Sequence, residues 1–432
     1  MAERRSGAAM SGIGSVPAAR PDHPARPLLT ALFLAYGALL LMRIGLNGRL
    51  LDLAINYTAD GGSIVEKIHP TFWGFLAVGG MALVSFRITL DAWELRVVRA
   101  LLAFCGAVCG LLAFAVVTGR SASVGYLLDS YVALIVFALV FVFPVPWRRA
   151  LGHALLGYMV AGALLAIVEF ALRFRLMPFN EGEAVFRPTG LTPHPLELGL
   201  WCAVGIGFTA AGDWPRGTKL AAGGLLLLGC VVSGARLATL VAGACTVLVL
   251  VQGIGAGLSP QRRRERQILV VLGVLLVGPV LLGGLAAAGA FGRFAGGMAD
   301  DNAMARIRVY EVFGLLSWHD LLVGGDINAV VKLVRERYDL PYIESALVIF
   351  VVQLGILGTV LLLGMLARLV RIILIGAAWP VTMAVVAFFV VALSNNGLAT
   401  KSSSVFLLLG LAITLHSSPA TVRCAAAGAR RC

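Results

Sequence analysis

Apolar runs of about 18 to 25 residues recur along the whole chain, each long enough to cross a bilayer as a helix. They fall near 28–46, 70–86, 99–117, 126–146, 151–172, 196–211, 219–233, 236–257, 268–290, 342–367, 372–393 and 403–417. The expected fold is therefore all-α, a polytopic integral membrane protein of about twelve transmembrane helices. Charge supports this: 13% of the 432 residues are charged and 59% apolar, against about 25% charged in soluble domains. A net charge of +13 raises the question of nucleic acid. Its location answers it, because the basic residues lie in inter-helix loops and tails and form no continuous basic face.

Residues 1–27 read as a disordered tail rich in Ala, Gly, Pro, Ser and Arg, without the pattern of a secretory signal. Residues 28–291 hold spans one to nine, 292–341 a long polar segment, 342–417 spans ten to twelve, and 418–432 a second tail. With the N-terminus cytoplasmic, 20 of the 35 Lys and Arg residues fall on the cytoplasmic side. They include Arg148-Arg149, Arg216, Lys219, the Arg262-Arg263-Arg264-Glu265-Arg266 cluster, Arg368 and Arg371. Both tails are thus expected in the cytoplasm and the 292–341 segment outside. No GxxxxGK[ST] or GxGxxG phosphate loop occurs, which disfavours ATP-driven transport and nucleotide-sugar chemistry. Five of the seven cysteines lie in apolar runs and two in the C-terminal tail, with no metal-ligand spacing.

The long external segment is the one stretch of this length unsuited to lipid. Ile327, Val330, Val331, Val334 and Tyr338 share one helical face, with Lys332, Arg335 and Glu336 opposite. Gly324-Gly325-Asp326 supplies a turn and a cap before it. A basic amphipathic helix of this kind suits a membrane surface or an anionic headgroup.

Four arginines and three further groups stand out on the outer face. RPTGLTPHP at 187–195 stiffens the approach to span six and fixes Arg187 and His194 near its start. Ser233-Gly234-Ala235-Arg236 makes the next outer turn, where a charge is costly without a partner. Arg306 and Arg308 begin the polar segment. Each arginine alone also reads as an interfacial anchor, and Arg308 with Glu311 as an i,i+3 surface pair. Together on one face they suit a lipid pyrophosphate, since guanidinium forks match phosphate oxygens. Glu344 reads as a carboxylate favourably placed at a helix N-terminus. His319 and His194 read as loop histidines.

Over about residues 185–360 the chain resembles the bacterial O-antigen ligase and O-antigen polymerase superfamily. RPTGLTPHP looks like the family's Arg-x-x-Gly and His/Pro/Asn element, and SGAR at 233–236 like its Ser/Gly-Arg helix start. ARIRVYEVF at 305–313 with LLVGGD at 321–326 is similar to its Arg-to-aromatic segment and glycine turn. ESALVIFVVQLGILG at 344–358 is similar to the helix on which ligases carry histidine, with Glu344 at that position and Ser345 where they carry asparagine. The resemblance implies a glycosyltransferase of the bacterial inner membrane that uses no metal, no nucleotide sugar and no cofactor. Its implied partners are an undecaprenyl-pyrophosphate-linked oligosaccharide, membrane lipids and other polysaccharide assembly proteins. In that picture Arg187, Arg236, Arg306 and Arg308 hold the pyrophosphate and Glu344 is the base, with His319 and His194 in reserve. The departure at Glu344 favours a polymerase or a divergent relative over a strict ligase. The rival expectation is a transporter or flippase of lipid-linked or anionic solutes.

Overall fold

The computed structural model describes residues 26–58, 63, 65–120, 123–177, 186–253, 259–287, 308–338 and 343–416. Among these residues the chain is entirely helical, and a helix stands at each of the expected apolar runs. The helices are α1 Arg26–Gly45, α2 Pro70–Ser85, α3 Ala92–Val117, α4 Val124–Val142 and α5 Val145–Leu172. After these come α6 Pro195–Ala211, α7 Arg216–Val232, α8 Arg236–Gly253 and α9 Pro260–Ala287. The long polar segment contributes the 3₁₀ turn Val309–Leu315, α10 Trp318–Val323 and α11 Ile327–Tyr338. The chain then ends in α12 Ala346–Ile373, α13 Trp379–Ala392 and α14 Ser404–Thr414. Five of these, α1, α3, α4, α5 and α12, are long and apolar enough to cross a membrane.

Local sequence explains the ends. Proline opens α2 and α6, where its missing N–H removes nothing from the helix. Asp91 and Glu94 form a reciprocal capping box at the start of α3. The run of β-branched residues in α4 does not hold a regular α-helix. After an α turn at Val124–Tyr126 it passes through a π-turn at Leu127–Tyr131 and then a 3₁₀ stretch at Val132–Val142.

All eleven residues of α14 are buried, so this helix, apolar all round, forms the centre of the bundle. Its Phe406 packs on Phe137 of α4 with ring centroids 4.5 Å apart, and Tyr36 and Phe75 meet at 5.2 Å beside them. Around this centre Leu34, Val84, Leu102, Val117, Leu275, Leu276 and Val360 are exposed. A belt of that kind is how a bundle meets lipid, where burial in water would otherwise leave an aggregating surface.

The loops are laced in two layers. Asn47 donates to Met177 Sδ at 3.2 Å, Arg120 to the Val323 carbonyl, Arg187 to the Ser233 carbonyl at 3.0 Å, and Lys401 to the Tyr57 carbonyl. All of these segments were expected on the external side. At the opposite helix ends Arg148 pairs with Glu94, Arg149 with Asp213 at 3.4 Å, and Trp93 stacks on His416 at 4.0 Å.

Two features depart from the sequence reading. The amphipathic face of α11 is not left for a membrane surface. Val334 is buried, and Ile327, Val330, Val331 and Tyr338 pack with Val309, Val312, Ile343, Val348 and Val352. The apolar stripe is consumed by the chain's own helix α12, and Lys332, Arg335, Glu336 and Arg337 face outward with Asn328, Ala329 and Leu333. Second, α12 is broken. Gly355 has φ +69°, and a Cβ there would stand 2.2 Å from the Leu322 carbonyl oxygen. The carbonyl of Val352 freed at the break accepts instead from Gly325 N at 2.6 Å, so α10 and its glycine turn seal the gap.

Candidate functional site

The segment preceding α6 is held by one buried carboxylate. Glu169, at the end of α5, accepts from Thr189 N at 2.9 Å and Gly190 N at 2.8 Å through Oε2, and from Leu176 N at 3.0 Å through Oε1. Gly190 lies at φ +55°, and a Cβ there would stand 2.3 Å from the Gly162 carbonyl, so no other residue fits without moving α5. These contacts fix the 187–195 turn against α5 and set the direction in which α6 leaves it.

His194 is the N-cap of α6, its Nδ1 accepting from Leu196 N at 3.0 Å. An Nδ1 that accepts carries its proton on Nε2, which assigns the neutral tautomer. Glu344 stands one residue before Ser345, the N-cap of α12, whose Oγ accepts from Val348 N at 3.4 Å. The start of α12 is tied to the 394–403 bend by Ala346 N donating to the Asn395 carbonyl at 2.9 Å. His194 and Glu344 consequently line one cavity of about 350 Å³, together with Glu197, Asn395, Lys401 and Ser402. The N-terminal ends of α6, α12 and α14 all open onto it.

Beneath the cavity the polar groups are partnered. Glu197 Oε1 accepts from Ser402 Oγ at 2.8 Å and from Ser404 Oγ at 2.7 Å, and Trp201 Nε1 donates to Ser404 Oγ at 3.1 Å. Lys401 Nζ donates to the carbonyls of Tyr57 and Lys67 and lies 4.0 Å from the centroid of the Tyr57 ring. Burial pulls its ammonium down to about 8, with Asp129 the largest opposing influence. Asp129 itself is buried against Arg43, Nη2 to Oδ2 at 2.7 Å, and accepts from the Tyr57 hydroxyl and from His69 N at 3.0 Å. Burial lowers His69 to about 4, with nearby Arg43 acting in the same direction.

The other residues singled out from the sequence lie apart from the cavity lining. Arg187 is 6% exposed, with Nε on the Ser233 carbonyl at 3.0 Å and its own carbonyl accepting from Arg175 Nε at 2.7 Å. It braces the turn that leads into Arg236, a half-buried residue at the first position of α8. Arg308 is exposed at the start of the 309–315 turn, and Arg306 lies outside the described residues. His319 is 74% exposed, with Nδ1 3.6 Å from Asp320 Oδ1. Sequence reasoning missed Glu197, Lys401, Ser402 and Ser404, although NNGLATKSSS at 395–404 is a conspicuous polar stretch between two apolar runs. Compared with protein-family models, with curated proteins and with solved structures, the chain matches none of them.

Proposed function

We propose that the chain is an integral membrane glycosyltransferase that polymerises or transfers a polyprenyl-pyrophosphate-linked oligosaccharide on the external face of a bacterial inner membrane. In this reading all twelve apolar helices cross the bilayer and both termini are cytoplasmic. The supporting observation is that Glu344 and His194, distant in sequence, line one cavity. That cavity lies among the helix ends whose loops the basic-residue asymmetry assigns to the outside.

The chemistry follows from those positions. The Glu344 carboxylate accepts the proton of an acceptor hydroxyl, and the hydroxyl oxygen attacks the anomeric carbon of the donor sugar. The bond from that carbon to the pyrophosphate oxygen breaks, and the electron pair leaves with the pyrophosphate. Arg236 and Arg308 supply charge to the departing group, with Arg306 in the same segment, while Arg187 acts on it by bracing the 233–236 turn. His194, neutral and capping α6, presents Nε2–H as a donor to a substrate oxygen.

The test is transfer in purified, reconstituted protein given a lipid-linked oligosaccharide donor. Glu344→Gln keeps size and hydrogen bonding and removes the base. It should insert normally and lose about a hundred- to ten-thousand-fold in rate. Activity within a few-fold of the parent sinks the assignment of Glu344. A second reading, a transporter of lipid-linked or anionic solutes, draws on the break in α12 at Gly355, since interrupted helices mark binding sites in transporters. Solute movement across proteoliposomes without any change in the sugar linkage favours that reading.

A further inference from the structure

Among the described residues the cation that lines the cavity is Lys401, not one of the arginines. Its ammonium is fixed on two sides by the Tyr57 and Lys67 carbonyls and on a third by the face of the Tyr57 ring. Its stem is confined as well, since a Cβ on Gly125 would lie 3.0 Å from Lys401 Cε. These partners hold its position without cancelling its charge, because carbonyls and a ring face carry none.

Among the described residues no carboxylate lies within ion-pair distance of Lys401. The carboxylates that act on it are engaged elsewhere. Asp129 is taken by Arg43, Tyr57 and His69 N, and Asp52 by Thr58 and Tyr57 N. Glu197, in the same cavity, accepts from the hydroxyls of Ser402 and Ser404. A half-buried ammonium left without a countercharge is costly, and a ligand anion offsets that cost. The positive N-terminal ends of α6, α12 and α14 act in the same sense.

We propose that Lys401 is the anion-binding residue of this cavity, its uncancelled positive charge attracting a phosphate or carboxylate oxygen of the bound ligand. This deepens the glycosyltransferase reading by assigning a residue that meets an anionic group of the substrate. Two sources supply such an oxygen, the pyrophosphate of a lipid-linked donor and the carboxylate of an acidic sugar. Burial lowers the ammonium only to about 8, so it remains charged at neutral pH.

The experiment is lysine acetylation of the wild-type protein in detergent, read by mass spectrometry, with and without inorganic pyrophosphate or glucuronate. Exposed Lys332 serves as the internal reference. Protection of Lys401 but not of Lys332 is expected. Protection by pyrophosphate identifies the donor as the source, and protection by glucuronate identifies an acidic sugar. Protection by neither overturns the proposal.

Direct binding provides the second arm. Lys401→Met should weaken binding of the protecting anion about ten-fold, the loss of one partly buried charge, and Lys401→Arg should retain it within a few-fold. Unchanged binding in Lys401→Met overturns the proposal. If that variant does not fold, the labelling of the wild-type protein decides. Protection without glycosyl transfer upholds this inference and rejects the enzyme reading, and transfer without protection does the reverse.

Discussion

Arg43 and Asp129 stand 86 positions apart in the chain and meet at 2.7 Å in a site where each is at most 5% exposed. Removing one member of a buried pair leaves the other as an uncompensated charge, a cost of about 3–5 kcal/mol. Asp129→Asn should therefore lower the melting temperature in detergent strongly. The double variant Arg43→Met with Asp129→Leu, which removes both charges, should melt above either single variant. A double variant no better than the singles would show that the pair's hydrogen bonds to Tyr57 and His69 outweigh its charge balance.

His69 gives the same corner an acid limit. Its folded-state value of about 4 lies below the ordinary value of 6.5, chiefly through burial and then through Arg43, against the pull of Asp129. Between those two pH values the unfolded chain binds a proton that the folded chain does not. Stability should thus be fully present above about 6.5 and decline as the pH falls to about 4. The decline should be shallower in His69→Gln, measured as melting temperature against pH. Parallel profiles for the two proteins would assign the acid sensitivity to another group.

The glycines at the α12 break make a steric prediction. Gly355→Ala places a Cβ 2.2 Å from the Leu322 carbonyl at a φ that alanine resists, whereas a Cβ on Gly364 of the same helix meets nothing within 4 Å. Gly355→Ala should release the 322–325 turn, seen as faster hydrogen exchange at Gly325 N, and Gly364→Ala should not. Equal exchange in both would mean that the turn does not depend on the break.

Arg187 and Arg236 should separate. Arg187→Ala leaves the buried Ser233 carbonyl without its donor, a loss of about 1–3 kcal/mol, and should reduce the yield of folded protein. Arg236→Ala, at a half-buried helix start, should fold normally and lose transfer. Normal folding of Arg187→Ala would free that residue for a direct role with the ligand.

Topology is tested by reporter fusions. A reporter placed after His319 should behave as external, and one within 261–266 as cytoplasmic. Both on the same side would remove the basis for an external site.

The helices and the α11 stripe were legible because each is written in a local period, 3.6 residues for the stripe and an unbroken apolar run for the spans. The cavity was not. Glu197 meets Ser402 and Ser404 across more than 200 positions, and no local pattern encodes such a contact. Lys401 sits in a ten-residue bend that reads as an ordinary connection between spans. Arg43 falls inside the first apolar run, and nothing nearby in sequence points to its partner, which lies three helices away. Gly355 was hidden for a different reason: within an apolar run a glycine signals close packing as readily as a break.

The break gives the first half of α12 two sets of neighbours. Val348 and Val352, before Gly355, pack with α11 and the 309–315 turn, whereas Gly358, after it, rests against Leu111 of α3. The half before the glycine also enters the main core through Ala346, Phe350 and Leu354, so it joins α11 to the bundle. Glu344 and Ser345 stand at the start of that joining half, so substitutions in residues 309–338 that unseat Val348 or Val352 reach the cavity wall through it.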